Sequence, residues 1–243
     1  MLHKKIHNSI YFQNMTGMGE PLVFLHGWGH NSANLRPLAT EFIANNRYII
    51  DLPGFGNTPE PDTPMTVEEY AKAIADWIIG QNLNPWIIGH SFGGKIAMEI
   101  AASRPDLIRG IIVIGGAGFV TLRSRLRRII FRPVVKFIRM FGSVGAKTAA
   151  LFQSTDYRNA SGMMRRILSQ SLRHKTIDAA REIRIPTLLI YGSNDIDTPP
   201  SFGRKFARAI PGAKLEILHG FEHNDILTTG RFQVSGIIKR FIK

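Results

Sequence analysis

Trp86-Ile87-Ile88-Gly89-His90-Ser91-Phe92-Gly93-Gly94-Lys95-Ile96-Ala97 is the stretch whose reading decides the fold of this chain. An apolar run stops at Gly89, and a helix-forming segment begins directly after Ser91. A backbone that passes from strand to helix within so few residues turns sharply, and ordinary side chains on either flank would clash. Gly89 and Gly93 remove those side chains, so the turn can lift the Ser91 hydroxyl clear of the sheet edge. The following helix aims its N-terminus at the same place, which favours negative charge developing there. Gly-x-Ser-x-Gly also arises by accident, so a glycine-rich turn without chemistry is the competing reading.

Three further segments have the same character. Leu22-Val23-Phe24-Leu25-His26-Gly27-Trp28-Gly29 is an apolar run that ends in His-Gly-x-Gly. Thr187-Leu188-Leu189-Ile190-Tyr191-Gly192-Ser193-Asn194-Asp195 is a second, ending in Gly-x-x-Asp, with Asp197 close behind. Leu215-Glu216-Ile217-Leu218-His219-Gly220-Phe221-Glu222-His223 is a strand followed by two histidines. A serine, an aspartate and a histidine thus stand in that order, each just past an apparent strand.

On these four segments the chain resembles the α/β-hydrolases over almost its whole length. The resemblance implies a nucleophile at Ser91, an acid at Asp195 and a base at His223, the serine–acid–histidine order of that family. Asp195 is preferred to Asp197 because the family acid stands three residues past the glycine. His223 is preferred to His219 because the family histidine lies a few residues past the last strand. Glu222 precedes it where a small residue is usual, a departure in the loop. The oxyanion donors are then the backbone amides of Trp28 and Phe92. His26, Gly27 and His90 flank these positions as candidate substrate contacts, although holding the loop is the preferred role for the His26 imidazole.

The implied activity is hydrolysis of a small or medium acyl ester through an acyl-enzyme, with no metal or organic cofactor. Esterases acting on a carrier-protein-linked acyl methyl ester, carbon–carbon bond hydrolases and perhydrolases use the same three residues. A pocket-bearing binding protein without turnover is the alternative outside enzymes. Asp51-Leu52-Pro53-Gly54-Phe55-Gly56 also resembles the family and is read as loop architecture.

Around these segments apparent strands and helices alternate, which predicts a mostly parallel central sheet with helices on both faces. Strands are expected near residues 23–25, 48–51, 86–89, 110–114, 187–191 and 214–218, after a strand or hairpin near 6–13. Helices are expected over 66–80, 92–103, 201–209 and 232–242. Thr66 with Glu69 forms a capping box for the first of them. Residues 119–180 break the alternation, so 1–118 and 181–243 are assigned to the hydrolase core and 119–180 to an inserted helical cap.

The 243 residues suit one domain with a large core. Absence of cysteine rules out disulfides and thiolate chemistry. No apolar run reaches the roughly 18 residues of a membrane span. The N-terminus has no secretory pattern, so the expected location is cytoplasmic. The 31 Lys and Arg exceed the 18 Asp and Glu, for a net charge of +13. Residues 123–175 hold thirteen of the bases and one acid, Asp156, so the excess is local. Arg125, Arg128, Arg132, Lys136 and Arg139 share one expected helical face beside an apolar stripe of Leu122, Leu126, Ile130, Val134, Phe137 and Phe141. Such a face could meet an acidic protein, an anionic lipid surface or an anionic substrate, or be the solvated side of a lid. Nucleic acid is not expected, because no reading motif accompanies the charge.

Overall fold

The computed structural model of the chain describes residues 2–7, 9–119 and 160–243. The basic face at 125–139 and most of the expected cap lie outside those residues.

Among the described residues there are eight strands, the central ones apolar and β-branched runs: β1 (Leu2–His7), β2 (Ile10–Met15), β3 (Gly19–Leu25), β4 (Asn45–Ile50), β5 (Trp86–His90), β6 (Gly110–Ile114), β7 (Thr187–Gly192) and β8 (Lys214–Leu218). They make one sheet in the order β1-β2-β4-β3-β5-β6-β7-β8. The β1–β2 hairpin and the β2–β4 pair are antiparallel, and every pair from β4 through β3 to β8 is parallel.

The described helices are α1 (Ser32–Ala39), α2 (Val67–Gly80), α3 (Phe92–Ser103), α4 (Gly162–Ser171), α5 (Thr176–Glu182), α6 (Pro200–Ala209) and α7 (Arg231–Phe241). The Thr66–Glu69 capping box is present at the start of α2.

Both faces of the sheet are buried, so the central strands are apolar without interruption. Val23, Leu25, Ile87, Ile111, Val113, Leu189 and Tyr191 face a core shared with α2, α3 and α6. Their neighbours Leu22, Phe24, Ile88, Ile112, Ile114, Leu188 and Ile190 face the other side, against α1 and α7. The edge strand β8 exposes Lys214 and Glu216, charges that discourage pairing with another chain.

The N-terminal expectation near 6–13 straddles the turn of a hairpin, whose strands reach back to Leu2 and forward to Met15. No helix was expected at α1. Its box is built from Asn31 and Asn34, and Pro37 lies inside it, so its local signals are weak.

Residues 160–180, the last part of the expected cap, bury Met164, Ile167 and Ala180 in the core on the α3 side and add polar contacts to it. Lys95 of α3 is buried, and its Nζ donates to the carbonyl of Ser171, the last residue of α4, at 2.7 Å. An ammonium suits a helix C-terminus, yet burial pulls this amine down to about 8. His174 Nε2 lies 3.3 Å from both Glu68 Oε1 of α2 and Glu99 Oε2 of α3.

Below pH 8 the Lys95 amine is charged in both the folded and unfolded chain. Between pH 8 and the ordinary lysine value the folded chain binds fewer protons, so stability rises with pH through that window. Relative to Lys95→Met, the wild type should gain on the order of 2 kcal/mol between pH 7 and pH 10 in urea unfolding. A difference that stays flat with pH would mean that Lys95 titrates as in water.

Candidate active site

Ser91 closes β5 and opens α3, and its backbone is strained: φ is 51° and ψ is −105°. Few non-glycine residues adopt positive φ, and here close packing enforces it. A Cβ on Gly93 would collide with the Leu25 carbonyl, and one on Gly89 with the Gly93 carbonyl. Only bare backbone lets α3 start this near β3 and β5.

The parallel ladder continues past the strand ends. Ser91 N–H donates to Ile114 O at 3.0 Å, Gly115 N–H to Ile190 O at 2.8 Å and Ser193 N–H to Leu218 O at 2.8 Å. The loops after β5, β6, β7 and β8 are thereby tied side by side. Asn194 N–H donates to Phe221 O at 3.0 Å, and a Cβ on Gly192 would strike that same carbonyl. These contacts fold the histidine loop onto the aspartate loop.

Asp195 and His223 meet as a result, Oδ2 to Nδ1 at 2.6 Å. The Asp195 side chain is almost fully buried, and that of His223 is 13% exposed. Asp195 Oδ1 accepts the N–H groups of Asp197 at 2.9 Å and Thr198 at 2.7 Å. The carboxylate is therefore anchored by backbone before the imidazole reaches it. Asp197 and His219, the rival positions, are exposed.

His223 lies beside the serine turn. Its ring centroid is 4.7 Å from that of His90, the residue before Ser91. Its carbonyl accepts from His90 Nε2 at 3.0 Å. Gly115, at φ +55°, leaves the space that the imidazole fills: a Cβ there would lie 3.1 Å from His223 Nδ1.

The loop after β3 closes the opposite side. Gly93 N–H donates to His26 O at 3.0 Å, and a Cβ on Gly27 would lie 3.3 Å from Ser91 Cβ. The Trp28 and Phe92 rings pack edge to face at 5.4 Å, with Phe55 against both. The two residues expected to offer amides thus sit on abutting loops. Among the described residues neither amide has an acceptor.

The imidazoles of His26 and His90, two of the candidate substrate contacts, are both fully buried. His26 Nδ1–H donates to Gly27 O at 2.8 Å, and its Nε2 accepts Leu52 N–H at 3.0 Å. Burial pulls His26 down to about 4. Burial, then the neighbouring His223, pushes His90 well below the ordinary histidine value. Both rings are neutral struts. Asp51 is likewise buried, accepting from Ser32 N–H and Asn57 N–H, so its loop is architecture. Among the described residues no group of three or more His, Asp or Glu could hold a metal ion. Nor is any of their helices long and apolar enough to cross a membrane.

The model of the alpha/beta hydrolase family matches residues 22–225, a span that contains every one of these loops. The chain belongs to that family. It is 27% identical over 237 residues to a pimeloyl-[acyl-carrier protein] methyl ester esterase of Neisseria meningitidis, covering 89% of this chain and 91% of that one. To lipase 3 of a Moraxella species it is 26% identical over 240 residues, covering 88% of this chain and 75% of the lipase. Its fold matches the crystal structure of a bacterial membrane phospholipase A with a TM-score of 0.78 at 19% identity, over 100% of this chain and 85% of that one. A thermophilic esterase from Thermogutta terrifontis matches with a TM-score of 0.72 at 19% identity, over 100% and 98% of the two chains.

Two residues of this hydrolase's site escaped sequence reading, Thr198 and Gly115. Gly115 matters only through a loop distant in the chain, whereas Thr198 reaches both Asp195, three residues back, and His223 on the β8 loop.

The strain at Ser91 is testable without substrate. Glycine usually costs about 0.5–1 kcal/mol of backbone entropy against alanine, but at this φ it relieves strain of about 1–3 kcal/mol. Ser91→Gly should therefore unfold in urea at a midpoint equal to or above that of Ser91→Ala. A clearly lower midpoint for the glycine variant would mean that the turn is unstrained.

Proposed function

We propose that this protein is a serine carboxylesterase, working on a small-molecule ester through an acyl-enzyme on Ser91. The observation that carries the reading is the 2.6 Å Asp195–His223 pair, held by the β7 and β8 loops beside the strained serine turn. Asp195 orients the imidazole by accepting from Nδ1–H, which leaves the Nε2 lone pair to take the Ser91 proton. Ser91 Oγ attacks the ester carbonyl, and the Trp28 and Phe92 amides receive the oxyanion, each worth about 3–4 kcal/mol. His223 returns the proton to the leaving alcohol and then activates the water that frees the acid. Residues 119–180 act as a cap over this site, and the cysteine-free chain works in the cytoplasm.

A nitrophenyl ester series from acetate to dodecanoate tests the assignment. Ser91→Ala and His223→Ala should each lose about 10⁴-fold or more in kcat. His219→Ala and Asp197→Asn should stay within about threefold of wild type, whereas Asp195→Asn should fall by about 10⁴-fold. Equal losses at His219 or Asp197 would move the base or acid to those residues.

A second reading is favoured by one surface feature and one relative. Among the described residues, a groove of about 450 Å³ is lined by Arg165, Arg166 and Arg173 together with Ser169 and Gln170. It continues the basic run of 123–147 in sequence, and the Neisseria relative is named for an ester on acyl carrier protein. In this reading the basic surface docks an acidic carrier protein rather than an anionic lipid surface. A carrier-bound methyl ester should then be cleaved faster than the free methyl ester, with an advantage that salt abolishes. An equal rate on both esters would sink the carrier reading.

A further inference from the structure

The proposed triad has a fourth member in contact with two of its residues. Thr198 is buried, and its hydroxyl lies 2.8 Å from Asp195 Oδ2, 3.1 Å from His223 Nδ1 and 3.0 Å from Gly115 O. One hydroxyl proton has two acceptors within reach, the carboxylate and the Gly115 carbonyl. Aimed at Gly115, the hydroxyl would turn a lone pair on an anionic oxygen 2.8 Å away. Aimed at Asp195, it makes a charge-assisted hydrogen bond, and the larger charge decides. The Thr198 lone pairs are then free to face His223 Nδ1.

We infer that Thr198 is a positioning residue: its hydroxyl holds Asp195 Oδ2 over His223 Nδ1 and keeps the proton on Nδ1. The inference rests on the serine-esterase reading of the site. Two backbone amides pin Oδ1, but among the described residues Oδ2 has only the imidazole and this hydroxyl. Without Thr198 the carboxylate can rock about Oδ1. Other titratable groups around His223 do not duplicate this work. His90 approaches from the end of β5 as a neutral donor to the His223 carbonyl, and on its own loop Asp225 accepts the Glu222 amide.

Thr198→Val keeps the shape and deletes the hydroxyl, and Thr198→Ser keeps the hydroxyl. The first measurement needs no substrate: the low-field proton NMR signal of His223 Nδ1–H, assigned by its loss in His223→Ala. In Thr198→Val it should move upfield or vanish through exchange, and in Thr198→Ser it should stay. Kinetically, Thr198→Val should lose about tenfold in kcat with KM within about twofold, as expected when a reacting group is misaligned. Thr198→Ser should restore most of that loss. A Thr198→Val signal that is unmoved or shifted downfield overturns the inference, as does a serine variant as impaired as the valine one. Failure of the esterase reading would look different: wild-type turnover would be absent or independent of Ser91, while the NMR comparison would still report on Thr198.

Discussion

Close passage of α3 across β3 and β5 is the constraint on which the rest of this site depends. Gly93 touches the Leu25 carbonyl and Gly89 the Gly93 carbonyl, with no room for a side chain at either. That proximity forces Ser91 into positive φ, brings the helix N-terminus to the sheet edge and lets Gly93 N–H grip the loop after β3. A helix set farther away would relax the turn and withdraw the hydroxyl into the protein. The strain costs stability locally, and two dry faces of a parallel sheet supply it.

His26, His90 and His223 share this small volume with His30, and the surroundings of the first three give them different work. His26 has both ring nitrogens committed to backbone groups, and His90 spends Nε2 on the His223 carbonyl. Burial disfavours a charge on either. His223 alone of the three has a carboxylate within hydrogen-bonding distance of its ring. Burial thus keeps His26 and His90 uncharged, while a carboxylate faces the ring of His223.

Much of this architecture was legible in the chain because it is local. The strands at Gly110–Ile114 and Lys214–Leu218 have the expected bounds, since each is a short run between turn residues. The helix at Phe92–Ser103 and the Thr66–Glu69 box were equally readable. Helix α1 was not, because Pro37 masks its pattern and two asparagines replace the usual capping pair. The N-terminal hairpin was half seen, its strands being defined by pairing as much as by composition.

The sequence by itself determined the apolar strands, the glycines that permit the serine turn, and the order of serine, acid and histidine. Those follow from side-chain volume and hydrophobic pattern, which need no knowledge of the distant chain. Tertiary structure alone decided which aspartate meets which histidine. Asp195 and Asp197, like His219 and His223, differ by a few positions in a loop, and only packing of the β7 loop on the β8 loop turns one of each inward. It also decided that His90 serves as a strut and that Thr198 meets His223. Those two contacts join residues 133 and 25 positions apart along the chain, and the register of a parallel sheet, not the neighbouring sequence, sets which of those residues meet.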